Sequence, residues 1–236
     1  MLPILYQDAH LVAIDKPPGL LVHRTGLDAG ETRFAVQLLR DQLGRPVWPL
    51  HRLDKGTSGV LIFALDADTA SAVSSSFDSS SEVRKSYLAM VRGWPVESGR
   101  IDHALKRLPD DTRVTARALD VQPAVTLFTR VARYALPLPY GGFEHARCAL
   151  LALTPETGRR HQLRRHCKHI AHPILGDATH GKGPLNRAVA AWLGMQRLWL
   201  HAQALEMPHP WRAGRIVIEA GAGPEWRTWE AARVTG

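Results

Sequence analysis

The sequence predicts an α+β chain built around a mostly antiparallel sheet. Three observations point there. Candidate strands outnumber candidate helices, several strands follow one another with no helix between them, and no repeat or low-complexity linker divides the 236 residues. With 45% hydrophobic and 22% charged residues, the chain can bury a sizeable core, as one large domain or two small ones.

In chain order, 2–6 and 11–14 are short apolar segments joined by Gln7-Asp8-Ala9-His10, which reads as a hairpin stopped by Lys16-Pro17-Pro18-Gly19. Residues 32–43 carry apolar side chains at Phe34, Leu38, Leu39 and Leu43, with Thr32 as cap and Gly44 as stop, and predict a helix. Strands are expected at 48–53 and 59–65. A helix over 68–77 ends in Asp78-Ser79-Ser80-Ser81, a short loop. Further strands are expected at 83–91, 124–134, 146–153, 198–207 and 215–220. A helix over 158–170 places Leu163, Cys167 and Ile170 on one buried stripe. Residues 106–123 and 135–145 read as polar or Pro/Gly-rich loops.

Charge narrows the partner. Thirty Lys and Arg against 22 Asp and Glu give +8, which favours nucleic acid ahead of a membrane surface. Between Glu156 and Asp177 no acid occurs, while seven of the ten residues from Arg159 to Lys168 are Arg, Lys or His. Such a run is commonly a solvated basic face; its density here suits phosphates, and the amides opening the helix suit them too. His161, Arg164 and Lys168 are spaced to share a face, from which one residue can reach inward to a carboxylate.

Two cysteines, Cys148 and Cys167, are too few for a disulfide framework. His161, His166, Cys167, His169 and His172 match no standard zinc spacing, and a basic helix repels a cation, so no metal is expected. The first residues lack a signal-peptide pattern and no run approaches a membrane span, which makes a cytoplasmic protein with no membrane partner the expectation.

The densest chemical signal is His51-Arg52-Leu53-Asp54-Lys55-Gly56-Thr57-Ser58-Gly59 ahead of an apolar strand. It presents one carboxylate between two fixed cations. In extended backbone Arg52 and Asp54 point the same way and Leu53 inward. This arrangement suits an ionised nucleophile or base, and equally a strand-end salt bridge followed by a turn. Lys85-Ser86-Tyr87 puts a Lys and a Tyr on one strand face, the Tyr being a core residue, a cross-strand partner or a platform for a base.

Taken in order, these motifs resemble the RluA-like pseudouridine synthases. The matching residues are Lys16-Pro17-x-Gly19-x-x-Val22-His23, His51-Arg52-Leu53-Asp54-x-x-Thr57-Ser58-Gly59 and Lys85-x-Tyr87-x-Ala89, then Thr157-Gly158-Arg159-x-His161-Gln162-Leu163-Arg164-x-His166 and Leu200-His201-Ala202. The likeness runs from about residue 5 to about 221. It implies a pseudouridine synthase catalytic fold: a central mixed, mostly antiparallel sheet flanked by helices, with the active site in a basic cleft. It implies isomerisation of uridine within RNA, with no metal, no organic cofactor and no obligate protein partner. Asp54 would be the nucleophile, Arg52 would help displace the uridine from the stack, Tyr87 would pack on the base and Arg164 would pair with Asp54. Lys16, Lys55, Arg159, Arg160, His161 and Lys168 are the expected substrate contacts.

Within the family, Gln122-Pro123-Ala124-Val125-Thr126, Arg164-Arg165-His166 and His172-Pro173-Ile174-x-Gly176-Asp177-x-x-His180-Gly181 look like the branch acting on uridine 65 of tRNA. Residues 1–236 are accordingly expected to form one catalytic domain, without the N-terminal S4 module that many relatives carry. The sequence departs from the pattern at Gly56, where a bulkier residue is usual, and in the loops at 106–121 and 135–145. A ribosomal RNA target, or an RNA-binding or remodelling protein with secondary catalysis, are the alternatives.

Overall fold

The structure, a computed structural model, describes residues 1–23, 30–79, 82–108 and 120–234. Strands β1 (Ile4–Gln7) and β2 (Leu11–Lys16) form the expected hairpin. Its turn is closed by Asp8, whose Oδ1 accepts the N–H groups of His10 and Leu11, both at 2.8 Å. Helix α1 is Ala35–Leu43, shorter than expected at its start. Thr32 is not its cap, because the N–H groups of Ala35 and Val36 donate instead to the carbonyls of Leu21 and Val22. A two-residue strand β3 (Trp48–Pro49) follows, then β4 (Ser58–Ala64). The expected strand over 48–53 stops early: Pro49 has no N–H to donate, and after Leu50 the chain leaves the sheet. Helix α2 (Ala67–Ser79) is capped by Asp66, which accepts the N–H of Thr69 at 2.7 Å.

The second half of the sheet comes from β5 (Arg84–Arg92), β6 (Ser98–Asp102), the short pair β7 (Leu105–Lys106) and β8 (Val121–Gln122), and the long hairpin β9 (Val125–Leu136) and β10 (Ala146–Pro155). Of the expected loop over 106–121, residues 109–119 lie outside the described residues. Helices α3 (Gln162–His169) and α4 (Gly183–Leu193) precede β11 (Leu200–Pro208) and β12 (Arg215–Glu219). A 3₁₀ segment, Pro224–Ala232, and β13 (Arg233–Val234) end the described chain.

Among the described residues, eleven strands form one mixed sheet in the order β1-β2-β4-β11-β5-β10-β9-β13, with β3, β12 and β6 pairing off that path. All its pairs are antiparallel except β4 with β11, where Ser58 faces His201 and Gly59 faces Ala202. The continuous apolar runs of β2 and β4 are buried on both faces, as central strands require. Val12, Ile14, Leu61 and Phe63 pack under α1, while Leu11, Ala13, Val60 and Ile62 meet Val73 of α2. On the other half, Ala89, Val91, Leu151 and Leu153 pack against Leu163 and Cys167 of α3, the predicted stripe. The opposite face meets Trp199, Trp226, Trp229 and Leu185 and Val189 of α4. The class is α+β, as predicted. Among the described residues no helix is long and apolar enough to cross a membrane.

Candidate active site

The parallel pair at the sheet centre organises the site. Gly59 has φ +106°, and a Cβ there would lie 2.1 Å from the carbonyl oxygen of Ala202, so only glycine lets β4 meet β11. Ala202 is in turn in register with Tyr87 of β5. Gly59, Ala202 and Tyr87 therefore stand in one row across three strands, roughly 10 Å wide at the usual spacing. That row brings Tyr87 beside the turn carrying Asp54.

The turn itself is tied from below. Thr57 N–H donates to the carbonyl of Asp54 at 3.0 Å, and Gly19 N–H to that of Lys55 at 2.8 Å. Lys16 is fully buried, and its Nζ donates to the carbonyls of Pro17 and Leu20, both at 2.8 Å, and of Lys55 at 3.2 Å. Burial pushes this ammonium down to about 7, with the charge of Asp54 opposing the shift. This corrects the reading of Lys16 as a substrate contact: its ammonium is spent on three carbonyls and joins the two motif turns. Leu53 is buried while Arg52 is exposed and Asp54 lies between, the predicted alternation.

Asp54 meets its partner from far along the chain. Arg164 Nη1 donates to Asp54 Oδ2 at 2.8 Å. The rest of the guanidinium forks onto Asp177, Nε to Oδ2 at 2.7 Å and Nη2 to Oδ1 at 2.8 Å. The Asp177 carboxylate is fully buried, and its Oδ1 also accepts the N–H groups of Thr179 and His180, both at 2.9 Å. Burial would raise its pKa; the fork and the two amides outweigh burial and hold it below the ordinary range. Arg164 behaves likewise: burial would lower it, and the two carboxylates hold it above its usual value. Helix α4, which the sequence reading did not anticipate, anchors this loop: Asn186 accepts from Gly176 N–H and donates to the Asp177 carbonyl, both at 3.0 Å.

The segment before α3 is a turn rather than the predicted first helical turn. The side chain of Gln162 is buried there: Oε1 accepts from Thr157 Oγ1 and Arg159 N–H, and Nε2 donates to the Val125 carbonyl and to Thr126 Oγ1. His161 takes left-handed backbone (φ +55°) and puts Nε2 3.8 Å from Asp54 Oδ1. Burial lowers its pKa against the opposing pull of Asp54. Tyr87 is half-buried and packs against both of the core clusters that lie under α1 and α3, and burial together with the charge of Asp54 pushes its hydroxyl above the usual range.

The basic run over 159–168 divides by position. Arg164 and His166 turn inward, His166 bonding Thr126 and the His103 carbonyl, whereas Lys168 is exposed despite its i, i+4 spacing from Arg164. Of the face expected for His161, Arg164 and Lys168, the last two keep their i, i+4 spacing on α3, whereas His161 lies before the helix in left-handed backbone. Arg159 and Arg160 are half-buried, Arg159 donating to the Pro123 carbonyl at 3.2 Å. Lys55 is exposed and ion-paired with Glu31. Among the described residues no three His, Cys, Asp or Glu side chains converge as metal ligands; His103 and His169 stack instead, with ring centroids 3.7 Å apart. Asp177 and His180 stand in the sequence only as members of the branch motif, with no expected place at the site. Their signal was available, since Asp177 is the first acid after Glu156 and the natural counter-charge to the basic run.

Residues 10–169 match the family described as RNA pseudouridylate synthase. The chain belongs to that family. As a pseudouridine synthase it is an isomerase. It is 46% identical over 229 residues to "tRNA pseudouridine synthase C" of Vibrio cholerae, covering 96% of this chain and 93% of the relative. The protein of the same name from Pasteurella multocida is 47% identical over 227 residues, covering 95% and 93%. Among solved structures, human RNA pseudouridylate synthase domain containing 1 superposes with a TM-score of 0.75 at 26% identity, covering all of this chain and 89% of that one. The corresponding values for human RNA pseudouridylate synthase domain containing 4 are 0.67 and 28%, covering 94% and 89%.

Proposed function

We propose that this synthase converts one uridine of tRNA, uridine 65, to pseudouridine, with Asp54 as the reacting carboxylate. The observation that carries the assignment is the Asp54–Arg164 contact at 2.8 Å, with Tyr87 of β5 within reach of the Asp54 charge. The tRNA target is supported by the names of relatives that align with 96% of the chain, and uridine 65 by the branch motifs.

In this reading the target base is first drawn out of its stem, at a cost of a few kcal/mol of stacking and pairing. Arg52, exposed at the Asp54 turn, fills the space the base leaves. Phosphate contacts from Arg159, Arg160, Lys168 and Lys55 offset the cost. The guanidinium of Arg164 holds the Asp54 carboxylate in place through its bond to Oδ2. The N1–C1′ bond breaks, the uracil turns while held against Tyr87, and C5 bonds to C1′. One proton leaves C5 and one is gained at N1, so the product is an isomer of the substrate. The neutral phenol of Tyr87 can donate a hydrogen bond to the turning base, and its ring supplies the stacking face.

Carbodiimide mapping of pseudouridine in total RNA from a strain lacking this protein tests the assignment. The modification at tRNA uridine 65 should disappear, return with the wild-type chain and stay absent with Asp54→Asn. Loss at a ribosomal position, or rescue by Asp54→Asn, overturns it.

A further inference from the structure

Asp54 and Arg164 belong to a closed circuit of contacts. From Asp54 Oδ2 it passes through Arg164 to Asp177, and from Asp177 Oδ1 to the backbone N–H of His180. It returns through the side chains: His180 Nε2 lies 3.2 Å from His161 Nδ1, and His161 Nε2 lies 3.8 Å from Asp54 Oδ1. The two imidazoles meet edge to face, with centroids 5.4 Å apart at 77°.

At 3.2 Å one of the facing ring nitrogens must donate and the other accept. If His161 Nδ1 held the hydrogen, its Nε2 would turn a lone pair toward a carboxylate. If His180 Nε2 holds it, His161 becomes the Nε2–H tautomer and presents a positive edge to Asp54. Electrostatics selects the second arrangement. Both rings are neutral in it. His161 faces Asp54, Arg164, Arg160 and His180, while His180 faces Asp177, Arg164, Lys168, Arg165 and His161. Burial lowers the pKa of both rings, and an added proton would join two fixed cations at His161 and three at His180 in a half-buried space. The left-handed backbone of His161 is strained in a non-glycine residue, and the buried bonds of Gln162 next to it hold it there.

We propose that His180 is a positioning residue: it holds His161 in the tautomer that directs Nε2–H at Asp54 Oδ1, so the carboxylate is oriented from both sides, by Arg164 and by His161. The 3.8 Å gap leaves Oδ1 the less engaged oxygen before RNA binds, and the contact shortens when the cleft fills. The inference rests on Asp54 being the reacting carboxylate.

The test uses the purified full chain and a tRNA transcript, with single-turnover pseudouridine formation at saturating RNA measured apart from RNA affinity. His180→Leu should slow the saturated reaction by about tenfold, the value of one lost hydrogen bond, and change Kd by less than about twofold. His180→Gln, whose amide N–H reaches the place of the imidazole Nε2–H, should recover most of the rate. If His180→Leu does not fold, His161→Gln against His161→Leu gives the same contrast, because the Gln amide keeps a donor toward Asp54. A His180→Leu rate equal to wild type overturns the inference, as do Leu and Gln variants equally slow or a loss confined to Kd. A wild-type chain that forms no pseudouridine, or Asp54→Asn that does, defeats the assignment of the site instead.

Discussion

Asp177→Asn keeps the shape of the buried carboxylate and removes its charge. In the wild-type chain Asp177 takes two charge-assisted bonds from Arg164 and two from backbone amides. The amide offers one oxygen to the guanidinium fork and turns an NH₂ against the other N–H. Removing one partner of a buried ion pair costs about 3–5 kcal/mol. Arg164 is 8% exposed but retains Asp54 as a counter-charge, which argues for the low end, about 3 kcal/mol. For a chain of 236 residues that corresponds to a Tm lower by roughly 6–12 °C. The pH dependence has a definite sign. The folded-state pKa of Asp177 lies below the ordinary carboxylate value, so its contribution is complete above about pH 5 and is lost as pH falls through the folded value. Thermal unfolding of both proteins at pH 7, 5 and 3 measures this: the gap should be constant from 7 to 5 and close toward 3. Melting within 1 °C of wild type at pH 7, or a gap that widens on acidification, would refute the reasoning.

Lys16→Met should flatten one part of the stability profile. The folded state releases the Lys16 proton near pH 7, whereas the unfolded chain keeps it to about 10.4, so this group makes stability rise with pH between those values. Urea midpoints from pH 6.5 to 9.5 should lose that rise in the variant, which also leaves three carbonyls without their donor. Gly59→Ala should destabilise by roughly 2–5 kcal/mol, combining the left-handed φ with the overlap on the Ala202 carbonyl, and a wild-type urea curve would count against the close strand approach. Affinity for RNA should fall steeply with salt, and Arg160→Ala and Lys168→Ala should each reduce the slope by about one contact; unchanged slopes would remove both residues from the docking surface.

The elements that were legible were those whose signal is local. The β2 and β4 runs, the Asp8 turn, the α3 stripe and the C-terminal hairpin of β11 and β12 follow from apolar patterning and short-range capping. Helix α4 was missed although Pro184 in its first turn and Gly194 at its end are ordinary helix punctuation. Other boundaries shifted where a distant group intervened. Carbonyls of Leu21 and Val22 replaced the Thr32 cap, and the Gln162 side chain held the turn before α3 out of the helix.

The site divides the same way. Sequence order alone was enough to single out Asp54, Tyr87 and Arg164, because a motif is a local pattern that resemblance can read. Their juxtaposition was decided by the sheet: only the parallel meeting of β4 with β11, and β11 with β5, sets Tyr87 in line with Gly59. Tertiary structure also decided that Lys16 is an interior strut, and that Asp177 and His180 complete the surroundings of a carboxylate more than a hundred residues away. Ion pairing and burial depend on distance in space and on exclusion of water, and neither is written in the spacing of residues along the chain.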